Sequence, residues 1–226
     1  MSAQPAVAGR DLQMTYRSGN THVAALRGVS LDIMPGEFLL LMGPSGSGKT
    51  TLVSILGGIL TPTAGAVVAF GEQVTSLSAR QLARFRLRHV GFVFQGFNLF
   101  AALSARENVQ LALSLKGVCG PAARDQVGDL LGEVGLADKA ERMPRDLSAG
   151  EKQRVAIARA LAGSPPLIMA DEPTASLDSD NGRHVTELLR ALAKDRGCAV
   201  LTVTHDPRII DCADRIVHLE DGALKP

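Results

Sequence analysis

The chain has 226 residues, 46% hydrophobic and 21% charged, with Lys+Arg 24 against Asp+Glu 23 and a formal net charge of +1. That length fits one large α/β domain with a buried core, and the composition excludes intrinsic disorder. The charge balance argues against a surface that attracts nucleic acid by net charge, so no nucleic-acid partner is expected.

Met1 to Gly9 lacks the basic start and apolar stretch of a signal peptide and reads as a short tail. Val29-Ser30-Leu31-Asp32-Ile33 alternates apolar and polar residues, as a half-exposed antiparallel strand does. Glu37 to Met42 is a short, mostly apolar run between Gly36 and Gly43, the pattern of a buried strand, and Thr51 to Leu56 opens a helix. Gly65 to Gly71 predicts another strand. Ser78 with Gln81 is a capping box starting a helix through Arg88, whose arginines read as a solvated face. His89 to Phe94 predicts a strand ending at Gln95.

Beyond Gln95 the pattern turns helical. Ser104 with Glu107 opens a helix to about Lys116, Pro121 to Val134 carries a second, and Leu147 to Ala162 a third. Strand character returns in Leu167 to Ala170 and Ala199 to Thr204. A helix over 180–196 joins them as a crossover, so these two strands are expected to be parallel. Every apolar run is far shorter than a membrane span. Cys119, Cys198 and Cys212 are odd in number and contain no CxxC pair, which points to reduced thiols in the cytosol.

Chemistry concentrates at the strand ends. Gly43-Pro44-Ser45-Gly46-Ser47-Gly48-Lys49-Thr50 lies between a strand and a helix, so backbone N–H groups and a helix dipole converge on one spot, as in a P-loop. Lys49 can reach the β- and γ-phosphates of a nucleotide and the Thr50 hydroxyl can ligate Mg²⁺. Two further strands run into Asp171-Glu172 and His205. In a parallel α/β sheet the carboxyl ends of strands form the ligand crevice. A lysine, two carboxylates and an imidazole at that edge match the needs of phosphoryl transfer to water. Asp171 suits Mg²⁺, Glu172 a general base, and His205 a group near the γ-phosphate.

With these motifs the chain resembles the nucleotide-binding subunit of ABC transporters over essentially its whole length. Besides the P-loop, Phe94-Gln95-Gly96-Phe97-Asn98 resembles the family's glutamine loop, Leu147-Ser148-Ala149-Gly150-Glu151 its signature, and Ser176-Leu177-Asp178 its D-loop. The run 152–160 after the signature is similar to the family's as well.

The resemblance implies an α/β P-loop NTPase with a RecA-like parallel-sheet core, an antiparallel β subdomain and an inserted α-helical subdomain. The whole of 1–226 would be one ATPase domain, with 1–95 and 164–226 as the ATP-binding core and 96–163 as the helical part. It implies ATP as substrate with Mg²⁺ as cofactor. Tyr16 would stack on adenine, and Gly43, Pro44, Ser45, Gly46, Ser47, Gly48, Lys49, Thr50 and Thr51 would hold the phosphates. Thr50, Gln95 and Asp171 would serve Mg²⁺, and Glu172, His205, Lys49 and Gln95 would serve hydrolysis. It implies a homodimer formed on ATP binding, in which the signature residues Leu147, Ser148, Ala149, Gly150 and Glu151 face the other subunit's ATP.

Ala149 departs from the family pattern, which commonly has glycine there. A left-handed backbone at that position would cost an alanine about 1–2 kcal/mol.

Within the family, Met42 to Thr51, Leu56-Gly57-Gly58 and Phe94 to Leu99 resemble the lipoprotein-release and macrolide-export branch. The segments 195–198 and 214–222 are similar to heterocyst-glycolipid exporter ATPases. That branch implies transmembrane permease subunits, a periplasmic adaptor and an outer-membrane duct reached through them. The chain would then sit on the cytoplasmic side of the inner membrane as a peripheral subunit. Two alternatives stay open: a signalling ATPase that drives a cell-wall hydrolase through a permease-like partner, and a non-transport ABC ATPase, although no long insertion or basic region of that class is present.

Overall fold

The computed structural model describes residues 4–19, 21–205 and 207–225. The chain begins with β1 (Val7–Ser18), β2 (Thr21–Ile33), β3 (Phe38–Met42), α1 (Lys49–Leu56), β4 (Ala64–Ala69) and β5 (Glu72–Gln73). It continues through α2 (Ala79–His89), β6 (Val90–Val93), α3 (Ala105–Leu115), α4 (Gly120–Glu133) and α5 (Ala149–Leu161). It finishes with β7 (Leu167–Asp171), α6 (Ser179–Arg196), β8 (Ala199–Val203), β9 (Arg215–Glu220) and β10 (Ala223–Leu224).

Among the described residues the strands form two sheets, β2-β1-β4-β5 and β10-β9-β3-β8-β7-β6. The first is antiparallel throughout. In the second, β9, β3, β8, β7 and β6 run parallel and β10 turns back on β9. The expected parallel pairing of β7 with β8 is present, and α6 makes the crossover.

The parallel sheet is buried on both faces, which is why its strands read as continuous apolar runs. Phe38 and Leu40 of β3 join a core cluster with α3, α4, α5 and α6. Leu39 and Leu41 point the other way, into a cluster with α1 and the antiparallel sheet. Ile168 and Ala170 against Leu167 and Met169 repeat this period of two on β7. The helices between β6 and β7 therefore share their core with one face of the sheet.

Three helices start where capping boxes were read. Ser78, Ser104 and Ser148 each accept from the backbone N–H three residues on, and Gln81, Glu107 and Glu151 reach back to the cap N–H. Such a cap is worth about 1 kcal/mol.

Two expectations need correction. Residues 7–9, read as part of a tail, are the start of β1, which pairs with β2 and β4; Met1–Ala3 lie outside the described residues. The strand escaped detection because its register shifts between Gly9 and Leu12, where Asp11 takes a φ of 48°. That bulge breaks the alternation along the segment. His89, expected in a strand, is instead the last residue of α2, its ring stacked on Phe70 at a centroid distance of 4.9 Å.

Candidate functional site

β3, β8 and β7 are neighbours in the sheet, and Val203 pairs with both Leu41 and Asp171. Their carboxyl ends therefore form one edge. A cavity of about 770 Å³ opens there, lined by the loop after β3, by Asp171 and Glu172, and by Gln95, His205, Tyr16, Ala25 and Val203.

The loop is shaped by what its glycines touch. A Cβ on Gly43 would stand 2.0 Å from the Leu219 carbonyl oxygen, and one on Gly48 2.3 Å from that of Ala25. Gly48, at φ 102°, caps α1 in a left-handed conformation, so Lys49 and Thr50 occupy the first helical turn rather than the loop before it. The Lys49 ammonium folds back over the loop, donating to the carbonyls of Gly43 at 2.7 Å and Pro44 at 2.8 Å. Ser47 faces away from the cavity: it is buried, its hydroxyl has no hydrogen-bond partner, and its main chain bonds to Pro44 and Gly222.

The Thr50 hydroxyl donates to Asp171 Oδ2 at 3.1 Å. Burial pushes the Asp171 carboxyl up; the Thr50 bond pulls against it, the Glu172 charge adds to it and Lys49 opposes it. A desolvated carboxylate beside a hydroxyl is a pair of hard oxygen donors that fits Mg²⁺.

Glu172 holds a φ of 49°, a left-handed backbone that a glutamate takes only at a cost, with its N–H bound to the Val203 carbonyl at 2.9 Å. Its Oε1 lies 2.8 Å from Nδ1 of His205, while Oε2 is buried without a hydrogen-bond partner. Tyr16 sits at the cavity wall with its hydroxyl 3.3 Å from Thr51 Oγ1.

The other predicted site residues lie elsewhere in the chain. Ser148 caps α5, Glu151 pairs with Lys139, and Leu147 is buried in the helical core. Ala149 opens α5 with its backbone in the ordinary helical range, so the anticipated left-handed penalty is not incurred. Asp178 caps α6 through the Asn181 N–H, Leu177 packs on the helical core, and Ser176 is exposed. None of these seven, nor Gly150, lines the cavity beside the P-loop.

The model of the ABC transporter family matches residues 26–175. The chain belongs to that family. The ABC cassette is similar to the macrolide export ATP-binding/permease protein MacB of Syntrophobacter fumaroxidans, 46% identical over 219 residues, covering 96% of this chain and 31% of that protein. It is 46% identical over 217 residues to the ABC transporter ATP-binding protein Rv2564 of Mycobacterium tuberculosis, covering 96% of this chain and 65% of that one. The chain thus spans less than two thirds of the length of these curated relatives. Among solved structures, the dimeric post-hydrolysis state of the ATP-binding cassette MJ0796 bound to ADP and Pi superposes with a TM-score of 0.91 at 40% identity, covering 97% of each chain. The ABC cassette therefore has the α/β P-loop NTPase fold of these ATPases. No helix among its described residues is long and apolar enough to cross a membrane.

Sequence reasoning missed three residues around the site. Ala25 and Val203 line the cavity through strand placement alone, which no motif marks. Asn181 reaches from α6 to Gly150 and Arg154 on α5, a contact visible only once the two helices are packed.

Proposed function

We propose that this ABC cassette binds and hydrolyses ATP and passes the resulting motion to a separate transmembrane permease, in the service of export. The observation that carries the reading is the convergence of Lys49, the Thr50–Asp171 pair and the Glu172–His205 pair on one cavity at the carboxyl ends of β3, β8 and β7.

In this reading the P-loop N–H groups and Lys49 hold the triphosphate, and Tyr16 flanks the adenine. Lys49 exchanges its two loop carbonyls for phosphate oxygens, which costs little because the ammonium already lies over the loop. Thr50, Asp171 and Gln95 would hold Mg²⁺, which when bound neutralises charge on the β- and γ-phosphates. Glu172 accepts the proton of the attacking water, while His205 holds its Oε1. His205 and Lys49 then face the charge developing on the γ-phosphoryl group.

The signature residues lie away from the P-loop of their own chain, which supports a head-to-tail pair of cassettes. Ser148 and Gly150 of one copy would close on the nucleotide of the other, with two-fold symmetry. The residues 96–163 would move as the helical unit in that closure. For the permease contact we assign the apolar groove of about 560 Å³ bordered by Ile59 and Leu87, by Phe94 beside Gln95, and by Leu115. Leu115 is 65% exposed and Ile59 43%, and β6 connects this groove directly to Gln95. An apolar cytoplasmic segment of the permease fits it.

Export is favoured by the likeness to macrolide export proteins. The finer assignment to the heterocyst-glycolipid type, with a periplasmic adaptor and outer-membrane duct, rests on the sequence resemblance of 195–198 and 214–222.

The test is Glu172→Gln. It is expected to keep ATP binding, lose turnover and accumulate as a nucleotide-bound dimer in size-exclusion chromatography. A variant that binds ATP yet stays monomeric at every concentration overturns the paired arrangement.

A further inference from the structure

The amide of Asn181 sits between the signature helix and the D-loop and is bonded to both. Asn181 is the third residue of α6, whose cap is Asp178. Its backbone N–H donates to Asp178 Oδ1 at 2.9 Å and its side-chain Nδ2 to Asp178 Oδ2 at 2.8 Å, so one residue engages both oxygens of that carboxylate. Its Oδ1 accepts from Arg154 Nη1 at 3.2 Å, one turn into α5. On the remaining side it presses against Gly150. A Cβ there would stand 2.4 Å from Asn181 Oδ1 and 2.5 Å from Cγ.

Gly150 is therefore a packing requirement within the chain, with an ordinary helical backbone. Its neighbour Ala149 is exposed, which explains why one glycine of the family's pair is replaced here and the other is not. The bonds from Asn181 also hold the Asp178 carboxyl below its usual value, through the backbone N–H first and the side-chain amide second.

We propose that Asn181 is a positioning residue for ATP-driven pairing: its amide locks Asp178 of the D-loop to the Gly150–Arg154 turn of the signature helix, so the two segments are presented to the second copy as one rigid edge. The inference rests on the head-to-tail reading above. Asn181 does not line the cavity at its own P-loop, so its loss separates nucleotide binding from pairing.

The experiment uses the full chain in a Glu172→Gln background with ATP and Mg²⁺. Nucleotide affinity is measured on dilute monomer with a fluorescent ATP analogue, and pairing by sedimentation velocity over a protein series. Asn181→Ala is expected to leave nucleotide affinity within about twofold while raising the protein concentration needed for pairing about tenfold. Gly150→Ala is expected to weaken pairing about tenfold beside Asn181 but less than about threefold in the Asn181→Ala background, because the two amide atoms at 2.4 and 2.5 Å are gone and only the Cβ at 3.0 Å remains.

Unchanged pairing in Asn181→Ala, or an equal cost of Gly150→Ala in both backgrounds, overturns the proposal while leaving the paired cassette intact. A Glu172→Gln parent that never pairs overturns the paired reading itself and this proposal with it. Should circular dichroism report Asn181→Ala unfolded, Asn181→Ser, too short to bridge Asp178 and Arg154, is held to the same two outcomes.

Discussion

Glu172 Oε1 lies 2.8 Å from Nδ1 of His205, and the two residues come from the ends of adjacent strands β7 and β8. The glutamate is the less accessible partner, with 15% of its side chain exposed against 73% for the histidine. A solvent-exposed imidazole is thus tied at one nitrogen to a strained, half-buried carboxylate. Removing it frees the carboxylate to turn. His205→Ala is expected to lower kcat on the order of 10²-fold or more while KM for ATP moves by less than about threefold. Steady-state ATPase kinetics check this; a matched rise in KM would instead place His205 in ground-state binding.

The glycines of the P-loop are not equivalent. Gly43 abuts the Leu219 carbonyl, whereas Gly46, at φ 80°, has open space where a side chain would go. Gly46→Ala meets only the left-handed backbone penalty of about 1–2 kcal/mol, which lowers Tm by roughly 2–8 °C in a domain of this size. Gly43→Ala must also push strand β9 away from β3. Its expected loss exceeds that of Gly46→Ala, with nucleotide binding abolished, as differential scanning calorimetry and nucleotide titration will report.

Ala149 is exposed at the first position of α5. Ala149→Gly, which restores the common family residue, is expected to leave ATP turnover within about twofold and to reduce stability by no more than about 1 kcal/mol. A large gain in turnover would mean that the methyl group obstructs pairing.

The Lys139 ammonium, aided by the Ser148 backbone N–H, holds Glu151 below the usual 4.5. A depressed carboxylate contributes stability that is present above its unfolded value and lost as pH falls through its folded one. The stability advantage of the wild type over Lys139→Met should therefore be full at pH 7 and shrink as pH drops below 4.5. Urea midpoints of both proteins across that range test the point. A constant difference would remove the ion pair as its source.

Much of this fold was legible because its signals are local. A glycine-rich turn between an apolar run and a helix, and Ser-x-x-Glu or Ser-x-x-Gln before an amphipathic stretch, are satisfied within one or two turns of chain. They reappear as the loop after β3 and as the caps of α2, α3 and α5. β1 was not legible, because the bulge at Asp11 interrupts the period from which strands are recognised. The motif marks Ser47 as part of the phosphate loop but says nothing of its hydroxyl, which the structure turns into the protein, since a motif specifies spacing and not which way a side chain points.

By itself the sequence determined the P-loop, the strand-end carboxylates and histidine, and the family, all of which depend on residue type and short-range spacing. Only tertiary structure decided that β8 lies between β3 and β7, that Glu172 and His205 touch, and that Asn181 fills the space above Gly150. These contacts join residues some 30 positions apart. They follow from how sheet and helices pack, and neighbouring residues along the chain carry no record of that packing.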